Sequence, residues 1–92
     1  MKNNALRLDE KDNVAIATHP IAKGDEVIIN GRKTLATIED VDAGHKLALA
    51  EIAKGEAVFR YGEPIVQATR HIKKGEWVHV HNTQPIPGDL KE

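Results

Sequence analysis

The sequence predicts a mostly-β domain of short strands built from two similar halves. Three observations lead to this prediction: a repeated glycine phrase, short runs of apolar residues, and turn signals about every ten residues. The phrase reads apolar, two spacers, glycine, polar, variable, apolar, and it occurs at residues 21–27, 41–47, 52–58 and 72–78. A shift of 31 positions superimposes the first pair of phrases on the second pair. We therefore expect a pseudo-twofold duplication within one domain.

The strands are expected between and around these phrases. Short apolar or alternating runs occur at residues 13–18, 27–29, 46–50, 58–61 and 77–81. The pair Asn30-Gly31 is a strong signal for a tight hairpin turn, and the phrase glycines are expected at positive φ. A helical turn is expected, if anywhere, only in segments 37–41 and 67–72. Residues 1–83 are expected to form the domain, and 84–92 a linker or C-terminal tail.

Composition limits the classes of function. The chain has 92 residues, a formal net charge of −1 and no cysteine. With one Phe, one Tyr and one Trp, its core must consist of Ile, Val, Leu and Ala. The balanced charge argues against nucleic-acid binding, and we expect neither a membrane span nor a signal segment, hence a cytoplasmic location. Without cysteine, metal ligands can only be histidine, carboxylate or carbonyl groups.

Two histidines separated by a single residue, His79 and His81, are the sharpest candidates for chemistry. Alternate residues of a strand share a face, with Cα atoms about 6.5–7 Å apart, so both rings can reach one divalent metal ion. Two ligands do not complete a site, and a carboxylate or a third histidine is needed from elsewhere. The alternative is an exposed strand face on which these histidines and Trp77 cover the edge of the core.

His45 and Tyr61 are the candidate acid–base groups. The Lys46 ammonium beside His45 favours a neutral ring, which suits a base or a ligand. Tyr61 lies in a turn and could place a proton donor near a substrate. Each has a structural alternative: a solvated turn histidine and a tyrosine at the edge of the core. His19 and His71 are expected to be surface residues.

Several motifs taken together resemble a known family. The motifs are DNVAIA at 12–17, GHK-x-AL at 44–49, YG-x-x-I at 61–65 and GEWVHVHNT at 75–83. They look like the N-terminal domain of altronate dehydratases. Galactarate dehydratases carry a related domain. The small subunit of sulfolactate sulfo-lyase is similar as well. The resemblance spans roughly residues 12–83.

The resemblance implies the SAF or β-clip fold, a curled set of short strands with two similar halves. It also implies a hydro-lyase that eliminates water from an aldonic or aldaric sugar acid with a divalent metal, Fe²⁺ or Mn²⁺. In such a reaction the proton α to the carboxylate is removed and the β-hydroxyl leaves. By motif position, the implied catalytic residues are His45, Lys46 and Tyr61, the substrate-binding residues Lys46 and Asn82, and the metal ligands His79 and His81.

The resemblance also implies a partner. Dehydratases of this family carry most of their catalytic machinery on a much larger domain, so this chain is expected to be a small subunit or N-terminal domain that shares its metal with that larger body. Exposed strand edges also make a homo-oligomer plausible. Two other functions stay open: a sulfo-lyase small subunit that releases sulfite, and a non-catalytic β-clip binding module.

Overall fold

Short antiparallel strands make up the regular structure of this protein. The computed structural model describes residues 2–87, and it contains strands and turns but no helix within that range. The strands are β1 (Ala5–Leu6), β2 (Val14–Ala17), β3 (Glu26–Ile29), β4 (Arg32–Ala36), β5 (Lys46–Ala48), β6 (Ala57–Arg60), β7 (Glu63–Ala68), β8 (Trp77–Val78) and β9 (Thr83–Gln84). The predicted mostly-β class is confirmed.

The strands form three small antiparallel sheets. A four-stranded sheet has the order β1-β2-β5-β8, β3 pairs with β4, and β7 lies between β6 and β9. Strands β2 and β5 therefore occupy the centre of the largest sheet. Since β5 and β8 are neighbours, this sheet brings together two segments that are 30 residues apart in sequence, with Leu47 opposite Trp77.

The four glycine phrases adopt one backbone conformation, as the sequence predicts. The glycines at 24, 44, 55 and 75 have φ between 86° and 88°. Each glycine N–H donates to a carbonyl of a neighbouring segment, namely those of Thr37, Ala17, Ala68 and Ala48. The next N–H in each phrase closes a turn onto the carbonyl three residues earlier. The isolated bridges Ile21–Val41 and Ile52–Ile72 are also related by the 31-residue shift, so the duplication is present in the structure.

The two hairpins are equivalent under the same shift. The β3–β4 turn places Asn30 at φ 53° and Gly31 at φ 75°, and the β6–β7 turn places Tyr61 at φ 60° and Gly62 at φ 76°. Two successive positive φ values are the mark of the type I′ turn, whose twist matches that of the flanking strands. Both hairpins also carry an irregularity at the same position of their first strand.

The core is built from Ala, Val, Ile and Leu, as the composition predicts. It consists of two clusters, one around Val27 and one around Val58. Strands β2 and β5 contribute to both clusters, because their adjacent residues point to opposite faces of the sheet and both faces are covered. The two halves are therefore packed on a shared pair of central strands.

Two predictions about local structure are wrong. Segments 37–41 and 67–72 hold no helical turn, because their N–H groups donate across to other segments. The strand predicted at 77–81 ends at Val78. The reason is Asn82, whose side-chain oxygen accepts the His79 N–H at 2.9 Å and so folds residues 79–82 into a turn.

The boundary of the predicted tail lies close to the last strand. Gln84 pairs with Gln67 in the β7–β9 ladder, and residues 85–87 follow without regular structure. The remainder of the predicted linker, 88–92, lies outside the described residues. The described part of the chain has no helix long and apolar enough to cross a membrane.

Candidate functional site

Strand pairing brings the two histidine-bearing motifs to one surface. The GHK motif enters β5 and the WVHVH motif enters β8, and these strands are hydrogen-bonded neighbours. Four rings form a connected cluster here, those of His45, Trp77, His79 and His81, in which His81 contacts Trp77 alone. We call these four residues the aromatic stack. The structure therefore gathers three of the predicted site residues at one place.

The rings of His45 and Trp77 lie edge to edge. Trp77 Nε1 donates to His45 Nδ1 at 3.1 Å, and the two ring planes differ by 13° with centroids 5.6 Å apart. Because an indole N–H and an imidazole lone pair both lie in their ring planes, a hydrogen bond between nearly parallel rings makes them roughly coplanar. The two residues thus form one flat plate.

His79 stacks on this plate. Its ring is within 9° of parallel to His45 and within 13° of parallel to Trp77, at centroid distances of 4.9 and 5.1 Å. These distances are those of offset aromatic stacking. The ring of His81 contacts Trp77 at 4.7 Å with a tilt of 38°. His79 and His81 are exposed, whereas His45 and Trp77 are half-buried.

Asn82 supports this surface from below. Its side chain is 0% exposed. Its amide nitrogen donates to Trp77 O at 2.8 Å and to Glu76 Oε2 at 3.1 Å, while its oxygen accepts the His79 N–H. The buried amide therefore fixes the backbone of the turn that carries the histidines. Its predicted contact with substrate stays a prediction, and the structure gives the side chain a positioning role.

The structure separates the predicted metal ligands into different groups. Potential ligand atoms of Glu39, Glu76 and His81 lie within 4.8 Å of one another among the described residues. Of these three residues, His81 is a predicted metal ligand. The group does not include His79, whose ring contacts are with His45 and Trp77. Two carboxylates and an imidazole suit a divalent cation such as Fe²⁺ or Mn²⁺.

The carboxylates of this group already have partners. Glu39 Oε2 accepts the Trp77 N–H at 3.0 Å. Glu76 is buried, accepts from the Lys73 N–H and from Asn82, and pairs with Arg70 at 2.9 Å. Burial alone would raise the pKa of Glu76, but these hydrogen bonds and the Arg70 charge hold its pKa below the ordinary value. The chain alone thus offers His81 and Glu39 as its more available donors.

Lys46 lines a small cavity beside the stack. The cavity has a volume of about 190 Å³ and is bounded by Lys46, His79 and Thr83 together with apolar side chains of β7 and β8. Partial burial, followed by the nearby charge of Arg60, lowers the pKa of Lys46 from its ordinary value. Neither cation forms an ion pair with a carboxylate in the part of the chain that the structure describes. The cavity therefore has an uncompensated positive charge at its edge.

Tyr61 makes no hydrogen bond or ring contact with the residues of the aromatic stack. It is 71% exposed at the tip of the β6–β7 hairpin, and its N–H donates to Asp12 Oδ2 at 2.9 Å. Its predicted catalytic role stays a prediction. His19 and His71 are exposed, as expected, and hydrogen-bond Thr18 and Glu51 respectively.

A wider groove lies elsewhere on the described residues. It has a volume of about 1010 Å³ between the 7–13 segment, the β3–β4 hairpin and Lys74. Its charged side chains are of both signs, and it includes none of the residues of the aromatic stack. We place the candidate site at the stack, because groups able to move or bind protons converge there.

Sequence reasoning missed the partners that organise the site. The sequence predicts Trp77 only as cover for the edge of the core, and it gives no role to Glu39 or Arg60. Glu39 is 38 residues from the N–H that it accepts. No local signal in the sequence predicts such a contact, since it depends on how the hairpin ends pack on β8.

Comparison with known proteins is consistent with this architecture. The family model of the altronate/galactarate dehydratase SAF domain matches residues 3–85. Altronate dehydratase of Escherichia coli (strain K12) is 41% identical over 87 residues, which are 95% of this chain and 17% of that protein. Altronate dehydratase of Bacillus subtilis (strain 168) is 34% identical over 86 residues, which are 94% of this chain and 17% of that protein.

A separately named subunit is similar over a shorter stretch. The (2R)-sulfolactate sulfo-lyase subunit alpha of Chromohalobacter salexigens is 41% identical over 44 residues, which are 48% of this chain and 47% of that subunit. The chain spans about a sixth of the length of the two altronate dehydratases, 17% in each case. Since the family match extends over every strand described above, from β1 to β9, this chain belongs to the altronate/galactarate dehydratase SAF domain family.

Proposed function

We propose that this chain is the small subunit or N-terminal domain of a sugar-acid dehydratase of the altronate type, a hydro-lyase, and that it acts together with a larger catalytic domain or subunit. The observation that carries the proposal is the convergence of the GHK and WVHVH motifs into the aromatic stack beside Lys46. The family match supports the same class of protein.

The reaction fits the groups on this surface. Elimination from a hydroxy acid removes the proton α to the carboxylate, breaks the C–O bond at the β-carbon and releases water, leaving an enol that becomes a 2-oxo acid. The uncompensated charge of Lys46 suits the anionic substrate, and the imidazoles of His45 and His79 suit its oxygens. The remaining machinery, including the group that removes the α-proton, is assigned to the larger body.

A metal forms part of the proposal. His81 and Glu39 are the donors that this chain would contribute to a divalent ion shared with the larger body. When bound, such an ion supplies positive charge that stabilises the enediolate.

The proposal is tested in the assembled enzyme. The chain is expected to co-purify with a large lyase polypeptide, and the complex to convert altronate or galactarate into a 2-oxo acid. His79→Ala is expected to lower kcat/KM by about 100-fold, the usual scale for loss of one group that contacts the reacting centre. His19→Ala, an exposed histidine outside the stack, is the matched control. Equal turnover of the two variants would remove His79 from the site.

A second function has one observation in its favour. The similarity to a sulfo-lyase subunit alpha covers 47% of that subunit, a far larger share than of either dehydratase. A sulfo-lyase would release sulfite from a sulfonated hydroxy acid, whereas a dehydratase releases none. Sulfite assays on the purified complex with sulfolactate and with altronate distinguish the two. A chain that binds a partner but shows neither activity would be a non-catalytic binding module.

A further inference from the structure

We propose that Trp77 is a positioning residue that holds His45 in the tautomer with the proton on Nε2, so that His45 presents a hydrogen-bond donor and not a basic lone pair. The assignment of the tautomer depends only on this chain. Its consequence for catalysis rests on the proposed function.

The tautomer follows from the chemistry of the two rings. An indole nitrogen carries a hydrogen and has no lone pair to offer, so it can only donate. The 3.1 Å contact from Trp77 Nε1 therefore requires His45 Nδ1 to accept. A neutral imidazole has one donor nitrogen and one acceptor nitrogen. With Nδ1 as the acceptor, the proton of His45 is on Nε2.

The backbone on both sides holds this contact in place. Both backbone polar groups of His45 are hydrogen-bonded: its N–H donates to Asp42 O at 3.1 Å, and its carbonyl accepts the Ala17 N–H at 2.8 Å. The Trp77 N–H donates to Glu39 at 3.0 Å. His79 covers one face of the plate. The geometry is thus set before any ligand binds.

The consequence concerns what His45 can do to a substrate. No protein acceptor for His45 Nε2 is found within residues 2–87, so its N–H is available to an oxygen of a ligand. Because Nδ1 accepts the Trp77 N–H, the ring presents a donor nitrogen to a ligand and no free lone pair. A neutral imidazole N–H is an effective donor to an oxygen that gains negative charge in proton abstraction next to a carboxylate or carbonyl. His45 is therefore suited to stabilise the enediolate.

The tautomer is tested by nitrogen NMR on the uniformly ¹⁵N-labelled chain at pH about 8, above the ordinary histidine range. Trp77 is the only tryptophan, so its indole signal is unambiguous, and His45→Gln identifies the His45 ring signals. We expect a scalar coupling across the hydrogen bond between Trp77 Nε1 and His45 Nδ1, with the His45 proton on Nε2. Trp77→Phe keeps an aromatic ring without a donor, and it should shift the Nδ1 resonance to that of a free lone pair. A His45 ring protonated on Nδ1, or an indole N–H that exchanges like that of an exposed tryptophan, would overturn the proposal.

The role is tested by kinetics of the assembled enzyme. The amide nitrogen of glutamine can stand in for Nε2–H as a donor, but glutamine cannot act as a base. We expect His45→Ala to lower kcat/KM by about 100-fold to 1000-fold, the scale for removal of one oxyanion donor, and His45→Gln to recover all but about tenfold of it. Turnover of His45→Gln as low as that of His45→Ala contradicts the donor role. If the NMR result holds and the complex has no lyase activity, the proposed function fails while the tautomer stands.

Discussion

Individual glycines differ in what surrounds them although they share one conformation. Gly24 and Gly75 both have φ of +88°. A Cβ on Gly24 would meet no atom within 4 Å, whereas a Cβ on Gly75 would lie 2.6 Å from the carbonyl oxygen of Ala36. The first site tests backbone strain alone, and the second adds a steric clash between the two halves of the molecule.

Gly75→Ala is expected to destabilise the protein more than Gly24→Ala. Placing an L-residue at positive φ costs about 1–2 kcal/mol, and Gly24→Ala should show that cost alone. The clash at Gly75 should add about 1–3 kcal/mol, as overpacking does elsewhere. Urea unfolding of both variants measures the difference. Equal losses would mean that the Ala36 segment moves aside without cost.

Asp12 makes stability depend on pH. Its carboxylate is buried and accepts the N–H groups of Gly62 and Tyr61 at 2.8 and 2.9 Å. Burial alone would raise the pKa of Asp12, but these bonds, one from Asp9 and the charge of Arg7 hold the pKa below its ordinary value of 3.8. A lowered pKa means that the folded state favours the ionised form. The stabilisation is therefore present above pH 3.8 and is lost as the pH falls through the folded-state pKa.

Asp12→Asn should remove this dependence. At neutral pH we expect the free energy of unfolding to fall by about 1–3 kcal/mol. The reason is that one of the two N–H groups would face the amide NH₂ group in place of a charged oxygen. Below pH 3.8 the unfolded chain takes up a proton at Asp12 before the folded state does, so the gap between the two proteins should shrink progressively as the pH falls. Urea unfolding at about pH 7 and about pH 3 gives both values. Asp42→Asn, at an exposed turn position, is the control, and a gap that stays constant with pH would refute the assignment.

At the scale of elements, each hairpin is anchored by an asparagine that is distant from it in sequence. Asn13 Nδ2 donates to Ala57 O at 3.0 Å and its Oδ1 accepts the Phe59 N–H at 2.8 Å. Asn4 makes the same two bonds to the other hairpin, at 2.9 Å to Glu26 O and 2.7 Å from the Ile28 N–H. Both asparagines bridge the irregularity in the first strand of their hairpin, where the ladder leaves backbone groups free.

Asn13→Ala and Asn4→Ala should each weaken their own hairpin. Loss of two hydrogen bonds at a bulge is expected to cost about 1–3 kcal/mol. The effect should be larger for Asn13, whose bonds are less exposed. Amide hydrogen exchange should show lost protection in 57–68 for Asn13→Ala and in 26–36 for Asn4→Ala. Loss spread evenly over both hairpins in either variant would argue against local anchoring.

The elements show which predictions from sequence succeed. The glycine phrases were predicted correctly because their requirement is local: a positive φ and an apolar residue on each side. Residues 77–81 were predicted wrongly because the buried side chain of Asn82 competes with the strand for the His79 N–H. The alternation of residue types at 77–81 does not reveal that the Asn82 side chain will accept this N–H.

At the scale of the whole molecule, the two core clusters should unfold together. Val27 and Val58 are each 0% exposed, are related by the 31-residue shift, and belong to different clusters. Both clusters share β2 and β5, so loss of one leaves the other with an uncovered face. Val27→Ala and Val58→Ala are each expected to cost about 2–3 kcal/mol, as core truncations do.

If the two clusters are coupled in this way, the protein should unfold in a single transition. Circular dichroism reports on all strands, and Trp77 fluorescence reports on β8. The two probes should give the same midpoint in the wild type and in both variants. Separate midpoints in Val27→Ala would show that the halves unfold independently.

The assembled site was less predictable than the fold. The resemblance of the motifs named the correct family, and it singled out His45, Lys46 and His79, which the structure then places on one surface. The partnership of His45 with Trp77 was not predicted, because it depends on the pairing register of β5 with β8 and on the edge-to-edge approach of two rings. Such distances are set by tertiary packing.

The residue that follows the glycine holds the same position in each of the four phrases; these residues are Asp25, His45, Glu56 and Glu76. Two of them, Glu56 and Glu76, cap their own turn with a carboxylate oxygen, while the His45 turn closes through the backbone without a cap from its ring. The repeated frame thus presents the same position four times, and at His45 the side chain has no capping role to fill. By the same logic, the other places in the frame are natural starting points for grafting new ligands onto this small domain.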